Sequence, residues 1–211
     1  MTASGVGRRI TTVATVAVLG LGASMAAAVP AAAAPGTAAI TGAAVAEVDY
    51  ATWQKDVKTV IDTATPYIQQ RTANSSGQRL AIVFDIDNTT LETHYTPWYQ
   101  LPTPALKPSL ALAKYAKSRG VDVFFVTARP GIIESLTEWN LKNVGYPVDG
   151  LYVRDLPDLF SEVSAYKTAS RADIESDGYT IIANVGNNTT DLVGGHAERT
   201  YKLPDYDGLL D

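Results

Sequence analysis

Val83-Phe84-Asp85-Ile86-Asp87-Asn88-Thr89-Thr90-Leu91 is the stretch on which the fold turns. It ends the run Leu80–Asp85, continuously apolar until its polar close and without the alternation of a half-exposed strand, so the run reads as a strand buried on both faces. Val121–Val126 and Tyr179–Val185 have the same character, and Leu151–Val153 is a shorter strand. Between them, Pro108–Arg119, Ile132–Asn143 and Ser164–Ser176 carry apolar residues at helical spacing, the first opening on a proline and stopping at Gly120. Upstream, Trp53, Val57, Val60, Ile61, Ala64 and Ile68 mark an amphipathic helix over Tyr50–Arg71, in which Pro66 offers a place for a kink. Strands alternating with helices at this interval predict an α/β fold: a three-layer sandwich around a mostly parallel sheet.

The chain has 211 residues, enough for one domain, and no internal repeat is visible. Residues 1–46 stand apart, with Arg8 and Arg9, no acid and much alanine. A short basic start, the apolar stretch Ile10–Ala28 and small residues from Ala26 to Ala34 give the layout of a secretory signal peptide over 1–34. Residues 35–47 read as a disordered Ala/Gly-rich spacer, and 48–211 as the folded domain with an N-terminal helix. A retained membrane anchor is the competing reading of the leader, weakened by Thr11, Thr12, Thr15, Gly20, Gly22 and Ser24 inside the apolar run. Secretion with no stable anchor after cleavage is therefore expected. The net charge is −5 and becomes −7 without the leader, which argues against a nucleic-acid polymer as partner. The absence of cysteine excludes disulfides, thiolate metal sites and cysteine nucleophiles.

Parallel sheets place ligands beyond the carboxyl ends of their strands. Three polar clusters occupy such positions here: Asp85–Thr89, Thr127-Ala128-Arg129 and Gly186–Asp191. Two carboxylates two positions apart can divide a displacement at phosphorus, with Asp85 as nucleophile and Asp87 as proton carrier. Gathering these acids with Asp191 beside an anionic phosphate calls for a hard cation, and Mg²⁺ suits oxygen donors. Thr127 offers a hydroxyl and a backbone N–H to phosphoryl oxygens, and Lys167 is the lysine best placed to offset charge.

The ordered set Val83–Leu91, Phe125-Val126-Thr127-Ala128-Arg129, Lys167 and Gly186-Asn187-x-x-x-Asp191 resembles the four motifs of the haloacid dehalogenase superfamily. Within it, the chain from about Tyr50 onward is most similar to the acid phosphatases grouped with plant vegetative storage proteins and secreted bacterial acid phosphatases. The resemblance implies Asp85 as nucleophile, Asp87 as general acid/base, and Thr127 and Lys167 as phosphate contacts. It also implies Mg²⁺ held by the Asp85 carboxylate, the Asp87 carbonyl and the last motif, where Asn187 and Asp191 are the candidates. Dehalogenases of the superfamily lack the second acid, so Asp87 favours phosphate chemistry. Asn187 departs from the family's aspartate, which predicts a weaker metal site in which Asp191 takes over, directly or through water.

Asp87 to Thr127 and Thr127 to Lys167 are each 40 residues, room for the predicted helices and a strand but not for a large cap domain. An open site would admit a small phosphomonoester, nucleotide or aryl. His94, Tyr95, Trp98 and Tyr99 could wall its leaving group, with Ala128 and Arg129 beside Thr127, or they could simply cap the sheet edge. Arg129 reads equally as a structural salt bridge, Lys167 as a solvated helix lysine like Lys114, and Asn187 and Asp191 as an Asx turn and helix cap. A calcium loop is a poor match, because Thr89 and Thr90 stand at its third-ligand and glycine positions. The expected activity is that of an exported Mg²⁺-dependent phosphomonoesterase. The alternatives are a storage or binding protein on the same fold and a phosphotransferase.

Overall fold

A computed structural model describes residues 47–210. The predicted signal peptide and all of the predicted spacer but Glu47 lie outside the described residues.

Helix α1 (Tyr50–Thr72) starts where Asp49 accepts the Thr52 N–H at 2.8 Å, an N-cap that satisfies one of the free donors of the first turn. It buries Trp53, Val57, Ile61, Ala64 and Ile68 of the expected stripe and Thr72 at its end, leaves Val60 half-buried, and runs unbroken through Pro66. Strand β1 (Arg79–Phe84) is followed, after a long loop, by α2 (Lys107–Ser118) and β2 (Val121–Pro130). Gly120, at φ 78°, makes the turn between them in the left-handed region that a side chain disfavours. Then come α3 (Glu134–Asn143), β3 (Gly150–Arg154), α4 (Val163–Ser176), β4 (Tyr179–Gly186), the one-turn α5 (Thr189–Leu192) and β5 (Thr200–Lys202).

The five strands are all parallel, in the order β3-β2-β1-β4-β5. Chain order reverses beside β1, whose neighbours are β2 and β4, so the crevice of this sheet opens beyond the carboxyl ends of β1 and β4. Side chains alternate across β1. Leu80, Ile82 and Phe84 join one core with α1, α2 and Leu141 of α3, whereas Ala81 and Val83 join a second core with Tyr166 and Ile174 of α4. Helices therefore cover both faces, as the three-layer expectation required.

Two features were not expected from sequence. β5 pairs Asn184 to Thr200 and Gly186 to Lys202 but buries only Tyr201, too short a pattern to register as a strand. β2 continues past Val126 to Pro130, with its pairing to β3 shifted between those residues, so Thr127-Ala128-Arg129 lies on an irregular strand end and not in a loop.

Ile68 is fully buried between α1 and the sheet. Ile68→Ala is expected to cost about 2–5 kcal/mol, read in urea as a lower midpoint with an unchanged slope.

Candidate active site

Asp85 leaves the sheet with its N–H donated to the Val185 carbonyl at 2.9 Å, which places the end of β1 against the end of β4. Its carboxylate meets Lys167 of α4, whose Nζ lies 2.6 Å from Asp85 Oδ1 and 2.5 Å from Asp191 Oδ1. All three groups are buried, with side-chain exposures of 3–8%. Lys167 is thus no solvated helix lysine. Two carboxylates share one ammonium, leaving one negative charge in a region with little water to stabilise it.

Both carboxylate oxygens of Asp191 are engaged. While Oδ1 meets Lys167, Oδ2 accepts the Asn188 N–H at 2.8 Å and completes the capping box of α5. Asp191, the expected replacement for the missing metal ligand, is thus a buried helix cap and lysine partner at once. A Cβ at Gly186 would stand 2.4 Å from Asp191 Cβ, so only glycine lets β4 pass this close to the carboxylate.

Asn187 is 4% exposed. Its Oδ1 accepts from Thr89 Oγ1 at 3.1 Å, its N–H donates to the same hydroxyl at 3.0 Å, and its Nδ2 donates to the Leu210 carbonyl at 3.1 Å. Asn88, left-handed at φ 55°, sends its own Nδ2 to the Leu210 carbonyl at 2.6 Å. Among the described residues the Asp87 carbonyl accepts no hydrogen bond. The oxygens available to a cation are therefore those of the Asp85 carboxylate, the Asp87 carbonyl and Asn187 Oδ1, the last also accepting from Thr89. An all-oxygen set of this kind suits Mg²⁺ with water completing its shell, with one charge fewer than an aspartate at position 187 would bring.

Asp87 is more open, its side chain 45% exposed, and Arg129 grips it with both arms, Nε to Oδ2 at 3.0 Å and Nη2 to Oδ1 at 2.7 Å. Thr127 is fully buried and accepts the Arg129 N–H on its hydroxyl at 3.2 Å, while exposed Ala128 borders the cleft. The cleft has a volume of about 300 Å³ and is lined by Asp85, Asp87, Lys167, Asn187 and Leu210 among others.

Of the aromatic residues, only Trp98 stays near the site. It is 90% exposed and borders a neighbouring groove that it shares with Arg129. Tyr95 turns away, its hydroxyl donating to the Val48 carbonyl at 2.6 Å and its ring packing on Trp53 and Tyr50. Exposed His94 stands edge-on to Tyr95 and borders neither cavity. The aromatic wall reduces to Trp98 beside Tyr99, because Tyr95 is needed to hold α1 on the loop after β1.

Leu210 and Arg171 were not anticipated, and Asn88 and Thr89 were marked only as members of the first polar cluster. Buried Arg171 donates to the carbonyls of Asp191 at 2.8 Å and Gly195 at 3.0 Å and to that of Val193, fixing the loop that carries Asp191. Its position four residues after Lys167, on the same helix face, was the available signal.

The chain belongs to the HAD superfamily, subfamily IIIB (acid phosphatase), whose family model matches residues 9–101 and 92–209. It is accordingly a phosphomonoesterase by family. The chain is 30% identical over 174 residues to the stem 28 kDa glycoprotein of Glycine max, covering 72% of this chain and 67% of that protein. It is 27% identical over 172 residues to acid phosphatase 1 of Solanum lycopersicum, with the same coverage of each. In structure it is similar to the class C acid phosphatase from Bacillus anthracis at a TM-score of 0.59 and 19% identity, over 75% of this chain and 80% of that one, a likeness of fold.

Burial raises the Asp85 carboxyl from 3.8 to about 7, with the Lys167 ammonium opposing and the charges of Asp191 and Asp87 adding to the rise. Between those two values the unfolded chain is ionised at this position and the folded chain is not. The ionised group therefore opposes folding, not at all below about pH 4 and fully above about pH 7. In metal-free protein, Asp85→Asn should gain stability relative to the parent as pH rises through that window, and the difference should level off above it. Urea unfolding of both proteins in EDTA, from about pH 4 to about pH 8, checks this; a difference independent of pH would contradict it.

Proposed function

We propose that the chain is an exported, Mg²⁺-dependent phosphomonoesterase that works through an aspartyl-phosphate on Asp85. The observation that carries this reading is the buried trio of Asp85, Lys167 and Asp191 at the mouth of β1 and β4. With Oδ1 held by Lys167, Asp85 keeps Oδ2 to attack phosphorus. The new bond to Oδ2 forms as the ester P–O bond breaks, and Asp87 gives its proton to the departing alkoxide. In the second half Asp87 takes a proton from water, whose oxygen attacks phosphorus and releases the Asp85 carboxylate. Lys167 offsets the charge gathering on the phosphoryl oxygens, and the Thr127 hydroxyl, with a hydrogen still to donate, contacts them.

Asp85, the Asp87 carbonyl and Asn187 would hold Mg²⁺, which supplies neutralisation of the phosphoryl charge. Arg129 holds the Asp87 carboxylate at the rim in this scheme. Export rests on the basic-then-apolar layout of residues 1–34; no helix among the described residues is long and apolar enough to cross a membrane.

A second reading has a specific observation behind it. The chain is 26% identical over 142 residues to vegetative storage protein 1 of Arabidopsis thaliana, and Asn187 removes a charge from the metal site. Against a storage role stands the cost of the site itself. A protein released from catalysis gains nothing from two buried carboxylates around one ammonium.

Phosphate release from p-nitrophenyl phosphate and from alkyl phosphates, with Mg²⁺ and with EDTA, tests the proposal. Turnover should require metal and vanish in Asp85→Asn. Asp87→Asn should lose roughly 10²–10⁴-fold on alkyl phosphates and much less on p-nitrophenyl phosphate, whose leaving group departs without a proton. Turnover retained by Asp85→Asn would sink the mechanism. A folded, metal-loaded parent that releases no phosphate from any ester would favour storage.

A further inference from the structure

We infer that the C-terminal segment Leu203–Leu210 is a positioning element of the metal site, in which the Leu210 carbonyl decides which arm of the Asn187 amide faces a cation. The inference rests on the metal reading proposed above and concerns how this chain works with an amide where the family has a carboxylate.

An amide side chain has one arm that accepts and one that donates, and only the accepting arm can ligate a cation. At Asn187 the donor arm is spoken for by the Leu210 carbonyl, and Oδ1 is turned to the side of Thr89. Rotating the amide by half a turn would set Oδ1 against the Leu210 oxygen, two acceptors with no hydrogen between them. It would also face Nδ2 towards the Thr89 hydroxyl, which already accepts the Asn187 N–H. The orientation of the Asn187 amide is thus fixed by a backbone carbonyl from a distant part of the chain.

That carbonyl is itself held from several sides. The Leu210 side chain is fully buried in the core, and its N–H donates to the Asp205 carbonyl at 3.1 Å. Tyr206 anchors the segment to α1 through a 2.8 Å hydrogen bond to Asp56. Lys202 pairs with Asp205 at 2.7 Å and donates to the Asn187 carbonyl. Because Asn88 donates to the same Leu210 oxygen, one carbonyl ties the loop after β1 to the loop after β4, the two loops that supply the ligands.

This arrangement gives Asn187 a physical reason. An aspartate would bring a negative charge to the cation but would aim a carboxylate oxygen at the Leu210 carbonyl at the distance where a hydrogen bond now lies. Asn187→Asp is therefore not a simple restoration of the family site. It strengthens one partner and repels another.

The test is calorimetric titration of MgCl₂ into the full chain, Asn187→Asp, a chain ending at Gly208, and the combination. Removing a group that orients a metal ligand weakens binding by about 10–100-fold, and that loss is expected for the shortened chain. Asn187→Asp should improve Mg²⁺ affinity more in the shortened chain than in the full one, since the repelling carbonyl is then gone. Equal affinity of the full and shortened chains, or a substitution whose effect is the same in both, overturns the inference.

Loss of the buried Leu210 side chain threatens the fold, so hydrogen exchange on the intact chain gives a second readout. By reciprocity, saturating Mg²⁺ should slow exchange of the Leu210 N–H. Exchange that is unchanged while calorimetry shows Mg²⁺ bound overturns the inference and leaves the metal reading standing. A folded intact chain that takes up no Mg²⁺ overturns the metal reading, and this inference with it.

Discussion

The Lys167 ammonium, set between Asp85 and Asp191, is the constraint around which this structure is arranged. Each of the three charges comes from a different element: the end of β1, the second turn of α4, and the short α5. Removing Lys167 would strand both carboxylates in a buried place, where breaking a pair costs several kcal/mol, roughly 3–5. The sheet order follows the same logic. With β1 and β4 adjacent, the Asp85 N–H reaches the Val185 carbonyl and Gly186 lets Asp191 press against the strand. Arg171 then closes the loop from below by taking its carbonyls.

Much of this was written plainly in the sequence. The buried strands show as unbroken apolar runs, the helices as stripes, and the ordered polar clusters at the strand ends mark the crevice, because each of these signals is local. What sequence could not show was pairing at long range. β5 buries one side chain, so it carries no periodicity. Tyr95 belongs to an aromatic run by position, yet its hydroxyl is claimed by Val48 and its ring by α1. Asp191 has the spacing of a ligand, and its oxygens also meet groups that only the folded chain brings near. The Leu210 carbonyl has no side-chain signature at all, and backbone groups acting at a site leave no mark on composition.

Asn187 shows how spacing and chemistry separate. Its place in the chain is that of a family ligand, while its amide demands a donor's partner that a carboxylate would refuse. The reading of a weakened site and the reading of an adapted one differ on whether that partner exists. Here it does, and it is shared with Asn88.

The site divides into two halves of opposite character. Asp85, Lys167 and Asp191 are buried and mutually fixed, which suits a nucleophile that must attack along one line with little reorganisation. Asp87 and Arg129 sit at the rim, the carboxylate 45% exposed and held only by a fork that a phosphate can compete for. The proton carrier of the proposed mechanism needs that freedom, since it meets the leaving oxygen in one half-reaction and a solvent molecule in the next. In the proposed mechanism the carboxylate that carries the proton stays open to solvent, while the one that attacks, two residues away, is closed in.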